Sequence, residues 1–294
     1  MAEGAQDRAG IDWNEAFDNS GHVPGAAALP AQWAAAAAGF RAALGGRAET
    51  DLAYGPAPRN RLDLFHPEGR PRGLVVFVHG GYWHKFDKSF WSHLAAGPLA
   101  HGWAVAIPSY TLAPEARIAG ITTEIAAAIG TASGRIAGPL RLAGHSAGGH
   151  LVARMACAGG PLADAAAARL ARVVSISGVH DLRPLLLTGM NATLGLDPAE
   201  ARAESPALQR PGPAPATFWV GAAERPEFLR QTRLIAESWG ARDIYEAGRN
   251  HFTVVEGLAD PGSPLVAELL ADSGADRGAA TKVATKTATK TGAP

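Results

Sequence analysis

The pentapeptide Gly144-His145-Ser146-Ala147-Gly148 constrains the fold of this 294-residue chain more than any other feature. It joins an apolar run at residues 140–143 to residues 147–157, which are rich in Ala, Leu, Val and Met. This pattern predicts a short buried strand, a sharp turn and a helix. A G-x-S-x-G sequence in that setting is typical of a nucleophile elbow, which exposes a serine hydroxyl at the tip of the turn. We therefore predict that Ser146 is a nucleophile, although a glycine-rich turn with an incidental serine would have the same pattern.

A second motif favours the catalytic interpretation. Residues 74–78 are continuously apolar, which predicts a parallel strand buried on both faces, and the sequence His79-Gly80-Gly81-Tyr82-Trp83 follows directly. Glycines let bare backbone N–H groups approach a developing oxyanion closely. We predict an oxyanion hole formed by the N–H groups of Gly81, Tyr82 and Ala147.

The general base must follow Ser146, because folds with this elbow have the chain order serine, acid, histidine. Three histidines come later, namely His150, His180 and His251. His150 would lie one helical turn beyond the serine, and His180 lies in an earlier loop. His251 stands in a polar loop after the last predicted strand, residues 243–246, and is the predicted base.

The acid that orients the base has four candidates. Glu224 lies just beyond the end of a predicted strand at residues 216–221 and is our first choice. Asp181 follows an earlier predicted strand and is its main rival. Glu227 suits the first turn of a helix, where a carboxylate interacts favourably with the helix dipole. Asp243 lies within or beside a strand.

Composition excludes several classes of protein. Lys plus Arg and Asp plus Glu each number 27, so the net charge of zero argues against binding to nucleic acid or acidic membranes. Cys157 is the single cysteine, which excludes a disulfide framework and a cysteine zinc cluster. Neither a signal peptide nor a membrane-spanning segment is readable. We expect a cytoplasmic protein with a small-molecule substrate and no metal or other cofactor, and a homodimer remains open.

The order of elements predicts an α/β fold. Apolar strand patterns alternate with helical ones, which implies a mainly parallel sheet with helices on both faces. We place the domain at residues 13–272, after a flexible N-terminus at 1–12 and before a disordered Lys/Thr/Ala-rich tail at 273–294. Residues 184–215, rich in Pro, Ala and Leu, are predicted to form a small cap over the site.

Several spaced motifs are similar to those of the kynurenine formamidase (arylformamidase) family. His79-Gly80-Gly81-Tyr82-Trp83 resembles its H-G-G-x-W signature, and residues 177–185 resemble its S-G-x-x-D-L-x-P-L segment. The likeness extends over roughly residues 13–258. Its other elements are Leu196-Asp197-Pro198 through Ser205-Pro206, Pro226-Glu227-Phe228 with Arg230-Gln231, and His251-Phe252.

The resemblance implies an α/β-hydrolase fold without a metal. It implies hydrolysis of N-formyl-L-kynurenine to formate and kynurenine, a step of tryptophan degradation. The family's nucleophile and base fall on Ser146 and His251, and its acid, usually aspartate, falls on Glu224.

The substrate is less constrained than the chemistry. Tyr82, Trp83 and Tyr110 are predicted to stack on an aryl leaving group, with core packing as the alternative for Trp83. A carboxylesterase of the hormone-sensitive-lipase type would have the same loop and elbow. A third possibility is a non-catalytic ligand receptor on a hydrolase fold, which the presence of Ser146 and His251 disfavours.

Overall fold

An eight-stranded sheet organises residues 10–272, the part of the chain that this computed structural model describes. The predicted tail at 273–294 and most of the predicted flexible N-terminus lie outside these residues. The strands are β1 (Ala48–Ala53), β2 (Arg61–Phe65), β3 (Leu74–Val78), β4 (Ala104–Pro108), β5 (Leu140–His145), β6 (Leu170–Ile176), β7 (Ala216–Gly221) and β8 (Arg242–Glu246).

The strand order in the sheet is β1-β2-β4-β3-β5-β6-β7-β8. Strand β2 runs antiparallel to both β1 and β4. The pairs from β4 through β3 to β8 are all parallel. The predicted mainly parallel sheet is therefore confirmed.

Ten α-helices connect and flank the strands within the described residues. They are α1 (Trp13–Ala16), α2 (Leu29–Leu44), α3 (Ala96–Ala100), α4 (Ile118–Arg135), α5 (Ala147–Met155), α6 (Asp164–Ala167), α7 (Asn191–Leu194), α8 (Pro198–Ala203), α9 (Pro226–Trp239) and α10 (Pro264–Leu270). None of the helices in residues 10–272 has both the length and the apolarity needed to cross a bilayer.

Both faces of the sheet are buried, as the apolar run of β3 predicted. Val76 and Val78 belong to one core cluster, which includes residues of α4 and α5. Val75 and Phe77 belong to a second cluster with residues of α2 and α10. Successive side chains of a strand point to opposite faces, so one continuous apolar run supplies two cores.

The parallel strands bring chemically active residues to one edge of the sheet. Ser146 follows β5, Ser177 follows β6, Glu224 lies just beyond β7 and His251 lies in the loop after β8. The carboxyl ends of parallel strands meet at the same edge, where open α/β sheets bind their ligands. Residues that are distant in sequence therefore lie together in one site.

Two buried histidines should make the fold sensitive to acid. Burial lowers the pKa of His79 and of His150 from 6.5 to about 4. Between pH 6.5 and pH 4, these two histidines are largely protonated in the unfolded chain but largely neutral in the folded chain. The free energy of unfolding should therefore fall as the pH drops from 6.5 towards 4, by about 1.4 kcal/mol per pH unit for each histidine.

Denaturant unfolding at pH 7, 6 and 5 measures this effect. Nε2 of His150 donates a hydrogen bond to the carbonyl of Glu204. The variant His150→Gln keeps a donor at this position but cannot titrate, so its stability should depend less steeply on pH than that of the wild type. Equal pH dependence in the two proteins would show that His150 does not contribute.

Candidate active site

Ser146 occupies a strained turn between β5 and α5. Its φ of 55° lies in the left-handed region, which a non-glycine residue rarely adopts. The turn is tight because α5 packs directly against β3: a Cβ on Gly148 would lie 1.9 Å from the carbonyl oxygen of Val78. The small residues after the serine thus allow the elbow that the sequence predicted.

His251 and Glu224 are joined by a hydrogen bond. Nδ1 of His251 donates to Oε2 of Glu224 at 2.7 Å, and both side chains are buried. Since Nδ1 is engaged, Nε2 is the ring nitrogen left to exchange a proton with a serine. Ser146 and His251 line the same pocket. The structure therefore brings together the three residues predicted as nucleophile, base and acid.

Two further donors hold the carboxylate of Glu224. Ser177 Oγ donates to Oε1 at 2.5 Å, and the N–H of Gly221 donates to the same oxygen at 2.8 Å. Ser177 is fully buried and has a φ of 51°, another strained non-glycine position. Sequence reasoning gave this serine no role, although it begins the S-G-x-x-D-L segment. Its geometry orients the acid towards His251.

The rival acids have partners of their own. Asp181 pairs with Arg183 at 2.9 Å; burial acts to raise the pKa of this carboxyl, but the hydrogen bonds from Arg183 outweigh it and leave the pKa lowered. Glu227 pairs with Arg230 at 2.7 Å. Among these residues, Glu224 is the one that contacts the His251 ring.

His145, the residue before the nucleophile, contacts the loop that holds the base. Its Nε2 donates a hydrogen bond to the carbonyl of His251 at 2.7 Å. Burial, followed by the neighbouring His251, lowers the pKa of His145 well below 6.5. His145 is therefore neutral at pH 7. It places no positive charge next to His251, so it does not disfavour the imidazolium that His251 forms when it acts as a general base.

The loop after β3, which is predicted to supply the oxyanion hole, passes through left-handed backbone conformations. Gly81, Tyr82 and Trp83 have positive φ values of 112°, 48° and 58°. A Cβ on Gly81 would lie 2.4 Å from the carbonyl oxygen of Lys85, so a glycine is required there. None of the hydrogen bonds formed within residues 10–272 uses the N–H groups of Gly81, Tyr82 or Ala147. These groups are available to an oxyanion.

Two aromatic residues predicted to contact substrate lie elsewhere. Trp83 is fully buried and packs edge-on against His150, with ring centroids 5.2 Å apart. Tyr110 is also fully buried, stacks on His79 and donates its hydroxyl to the His79 carbonyl at 3.1 Å. The prediction of substrate contact is therefore wrong for both, because each side chain packs in the core and neither lines the pocket. Tyr82, in contrast, lines the pocket.

The pocket beside Ser146 has a volume of about 440 Å³, and six of its twenty lining residues are aromatic and form what we call the aromatic wall. Of this wall, the sequence predicted a substrate contact for Tyr82 alone, because the other residues come from separate segments. The aromatic lining residues, besides Tyr82 and Phe17, are Trp33, Phe86, Trp91 and Phe252.

The cover of the pocket differs from the predicted cap. Of residues 184–215, only Met190 lines the pocket, whereas eight lining residues come from residues 12–33, which we name the N-terminal cover. The eight are Asn14, Phe17, Asp18, Asn19, Ser20, Ala26, Pro30 and Trp33. The predicted cap instead forms α7, α8 and short 3-10 turns.

Direct contacts fix the N-terminal cover to the domain. The Tyr82 hydroxyl donates to the Phe17 carbonyl at 2.5 Å. Asn14 Oδ1 accepts a hydrogen bond from the N–H of Gly189 at 2.7 Å. The Phe17 ring packs edge-on against Phe228, whose ring lies 4.4 Å from that of His251. The cover therefore contacts both the oxyanion loop and the residues around the base.

One group of potential metal ligands lies in this cover, among the described residues. Glu15, Asp18 and His22 are exposed and close together. Glu15 already pairs with His22 at 2.7 Å and with Arg225 at 3.1 Å. The guanidinium of Arg225 disfavours binding of a second cation here. None of these three residues is one of the predicted catalytic residues.

Comparison with known proteins agrees with this geometry. A model of the alpha/beta hydrolase family matches residues 75–293. A kynurenine formamidase from Drosophila melanogaster is 30% identical over 232 residues, which are 71% of this chain and 76% of that protein. The chain belongs to the kynurenine formamidase family of alpha/beta hydrolases.

The chain is also similar to a second curated relative and to a solved structure. A kynurenine formamidase from Danio rerio is 28% identical over 236 residues, covering 75% of this chain and 80% of that protein. A crystal structure from Silicibacter sp. TM1040, of a protein provisionally named a thioesterase, superposes with a TM-score of 0.87 and 51% identity. It covers 89% of this chain and 100% of that chain. The predicted family and fold are confirmed, and the protein is a hydrolase.

Proposed function

We propose that this chain is a serine hydrolase that removes a small acyl group from an aryl amide. N-formyl-L-kynurenine, cleaved to formate and kynurenine, is the proposed substrate. The observation that carries the proposal is that six aromatic side chains line the same pocket as Ser146 and His251, whose ring is hydrogen-bonded to Glu224. Flat apolar walls of this kind suit an aryl group.

In the proposed mechanism, side chains and backbone N–H groups of the protein act on the substrate and on one water molecule. Ser146 Oγ attacks the formyl carbon while His251 Nε2 takes its proton, and Glu224 holds the ring in the required tautomer. The N–H groups of Gly81, Tyr82 and Ala147 stabilise the oxyanion. His251 then protonates the departing amine. Water, activated by the same histidine, releases formate from the acyl-enzyme.

The preference for a formyl aryl amide has a physical basis. Formyl is the smallest acyl group. The bulky Tyr82 side chain belongs to the oxyanion loop and lines the pocket, where it restricts larger acyl groups. An aryl amine also leaves more readily than an alkyl amine. Both features favour an N-formyl arylamine over longer acyl substrates.

An ester or thioester is the alternative substrate. The same nucleophile, base and oxyanion hole act on either bond. The specific observation that favours this alternative is the relative at 51% identity that is provisionally named a thioesterase. A small-acyl thioesterase would need no other catalytic group.

A substrate panel separates these functions. The panel contains N-formyl-L-kynurenine, its N-acetyl analogue, phenyl acetate, phenyl butyrate and S-phenyl thioacetate. We expect kcat/KM to be highest for the formyl compound, because specificity is a ratio of transition-state affinities. Faster turnover of phenyl butyrate or of the thioester than of N-formyl-L-kynurenine would contradict the proposal.

A further inference from the structure

Two opposite charges stand at the mouth of the pocket beside Ser146. Asp18 is the one acidic residue that lines the pocket, and Lys85 is the one lysine or arginine. Both are exposed, whereas Ser146, at the floor, is only 2% exposed. Within residues 10–272, neither charged side chain forms an ion pair. The pocket therefore offers one anion and one cation to a ligand.

Hydrogen bonds place both charged residues beside the oxyanion loop. The N–H of Lys85 donates to the Gly81 carbonyl at 3.0 Å, so Lys85 closes the turn that carries the predicted oxyanion donors. Asp18 directly follows Phe17, whose carbonyl accepts the hydrogen bond from the Tyr82 hydroxyl at 2.5 Å. Both backbones are therefore fixed close to the predicted site of acyl transfer.

The two charges also act on neighbouring side chains that line the pocket. Burial, followed by the negative charge of Asp18, raises the pKa of the Tyr82 hydroxyl. Burial, followed by the positive charge of Lys85, lowers the pKa of His84. Salt screens exposed charges that are more than about 10 Å apart, so these effects indicate that both charges lie near the pocket lining.

We propose that Asp18 and Lys85 bind an α-amino acid group carried by the leaving group of the substrate. Such a group is a zwitterion, whose ammonium pairs with the Asp18 carboxylate while its carboxylate pairs with the Lys85 ammonium. The inference rests on the proposed function and narrows the substrate class to aryl formamides that carry an amino acid. Asp18 and Lys85 then determine specificity at a distance from the bond that breaks.

The pocket and the proposed substrate have the same order of parts. From floor to mouth, the pocket presents Ser146, the aromatic wall and then the charges of Asp18 and Lys85. N-formyl-L-kynurenine presents a formyl group, an aryl ring and an amino acid group in that order. Formanilide or a simple aryl ester has only the first two parts. The charged mouth therefore favours the proposed substrate over those of a general esterase.

Four substrates measure the two contacts separately. They are N-formyl-L-kynurenine, its analogue without the amino group, its analogue without the carboxyl group, and ortho-formamidoacetophenone, which has neither group. All four have the same scissile bond and the same ring ketone, so differences in kcat/KM report recognition of the amino acid group. We expect N-formyl-L-kynurenine to exceed ortho-formamidoacetophenone by about tenfold at low salt. This ratio should fall as the ionic strength rises, because exposed charges are screened.

Two substitutions remove one charge each. Lys85→Met keeps most of the side-chain length, and Asp18→Asn keeps the oxygen that accepts from the N–H of Gly21 at 2.9 Å. Relative to ortho-formamidoacetophenone, we expect Lys85→Met to lower kcat/KM about threefold for the analogue that has only the carboxyl group. Asp18→Asn should do the same for the analogue that has only the amino group. Both losses should appear in KM rather than in kcat, because the contacts are remote from the scissile bond.

Arg70→Met and Asp164→Asn are the matched controls, because they remove the same charges from exposed residues outside the pocket. An unchanged ratio in Lys85→Met or in Asp18→Asn would overturn the inference. An equal change in the corresponding control would also overturn it, since the effect would then follow the net charge of the protein. Thermal unfolding of each variant shows whether the fold is retained.

The wild-type protein provides a test that needs no variant. Equal kcat/KM for N-formyl-L-kynurenine and ortho-formamidoacetophenone, at low and at high salt, would overturn the inference. The proposed function would survive that result, because both compounds are aryl formamides. A wild-type protein that cleaves phenyl acetate but none of the four formamides would overturn the proposed function itself, and the inference with it.

Discussion

The variant Ser146→Ala should lose nearly all turnover, with kcat falling by up to about 10⁶-fold, because the acyl-enzyme can no longer form. The substitution deletes one oxygen atom, so the fold should survive. Alanine must also adopt the positive φ of this turn. The fold already holds Ser146 in that strained conformation, so the substitution should add little further strain. Steady-state kinetics on N-formyl-L-kynurenine, with thermal unfolding beside them, measure both effects.

A matched control for Ser146→Ala is available on the neighbouring strand. Ser175 is similarly buried, belongs to β6 and does not line the pocket. Ser175→Ala should retain most of the activity. A Ser146→Ala protein that turns over substrate at near wild-type rates would contradict the assignment of the nucleophile.

The second large effect is expected at the acid. Glu224→Gln should lower kcat by about 10⁴-fold, as loss of the triad acid does in serine proteases. An amide is nearly the same size as the carboxylate, so packing is preserved. Its NH₂ group can face Nδ1 of His251, which favours the tautomer that carries its proton on Nε2. That tautomer cannot accept the serine proton.

Asp181→Asn is the comparison for this prediction, because Asp181 was the main rival acid. Asp181 pairs with Arg183 rather than with the base. We expect its loss to lower kcat much less than Glu224→Gln does. A nearly inactive Asp181 variant beside an active Glu224 variant would reverse the two roles.

The parts of the site that the sequence predicted depend on local patterns. The elbow, the glycine loop and the strand ends are each encoded within a few consecutive residues, and the parallel topology then places Ser146, Glu224 and His251 together. The hydrophobic patterns of the strands therefore predicted the fold, and the spacing of the glycines predicted where the catalytic residues lie.

The parts that the sequence did not predict depend on contacts between distant segments. The cover comes from residues 12–33 rather than 184–215, because the Tyr82 hydroxyl and the N–H of Gly189 bind the N-terminal segment across the pocket. Trp83 and Tyr110 lie in the core because they pack against His150 and His79, which come from other segments. Ser177 acts on Glu224 across two adjacent strands. A pattern within one segment carries no information on any of these.

The proposed function requires Ser146 to perform covalent catalysis on an N-formyl arylamine. The most direct test is competition labelling of the wild-type protein with a fluorophosphonate, followed by peptide mass spectrometry. We expect a single adduct on the peptide that contains Ser146, formed more slowly as the concentration of N-formyl-L-kynurenine rises. Labelling of another residue, or labelling of Ser146 at a rate that saturating N-formyl-L-kynurenine does not change, would contradict it.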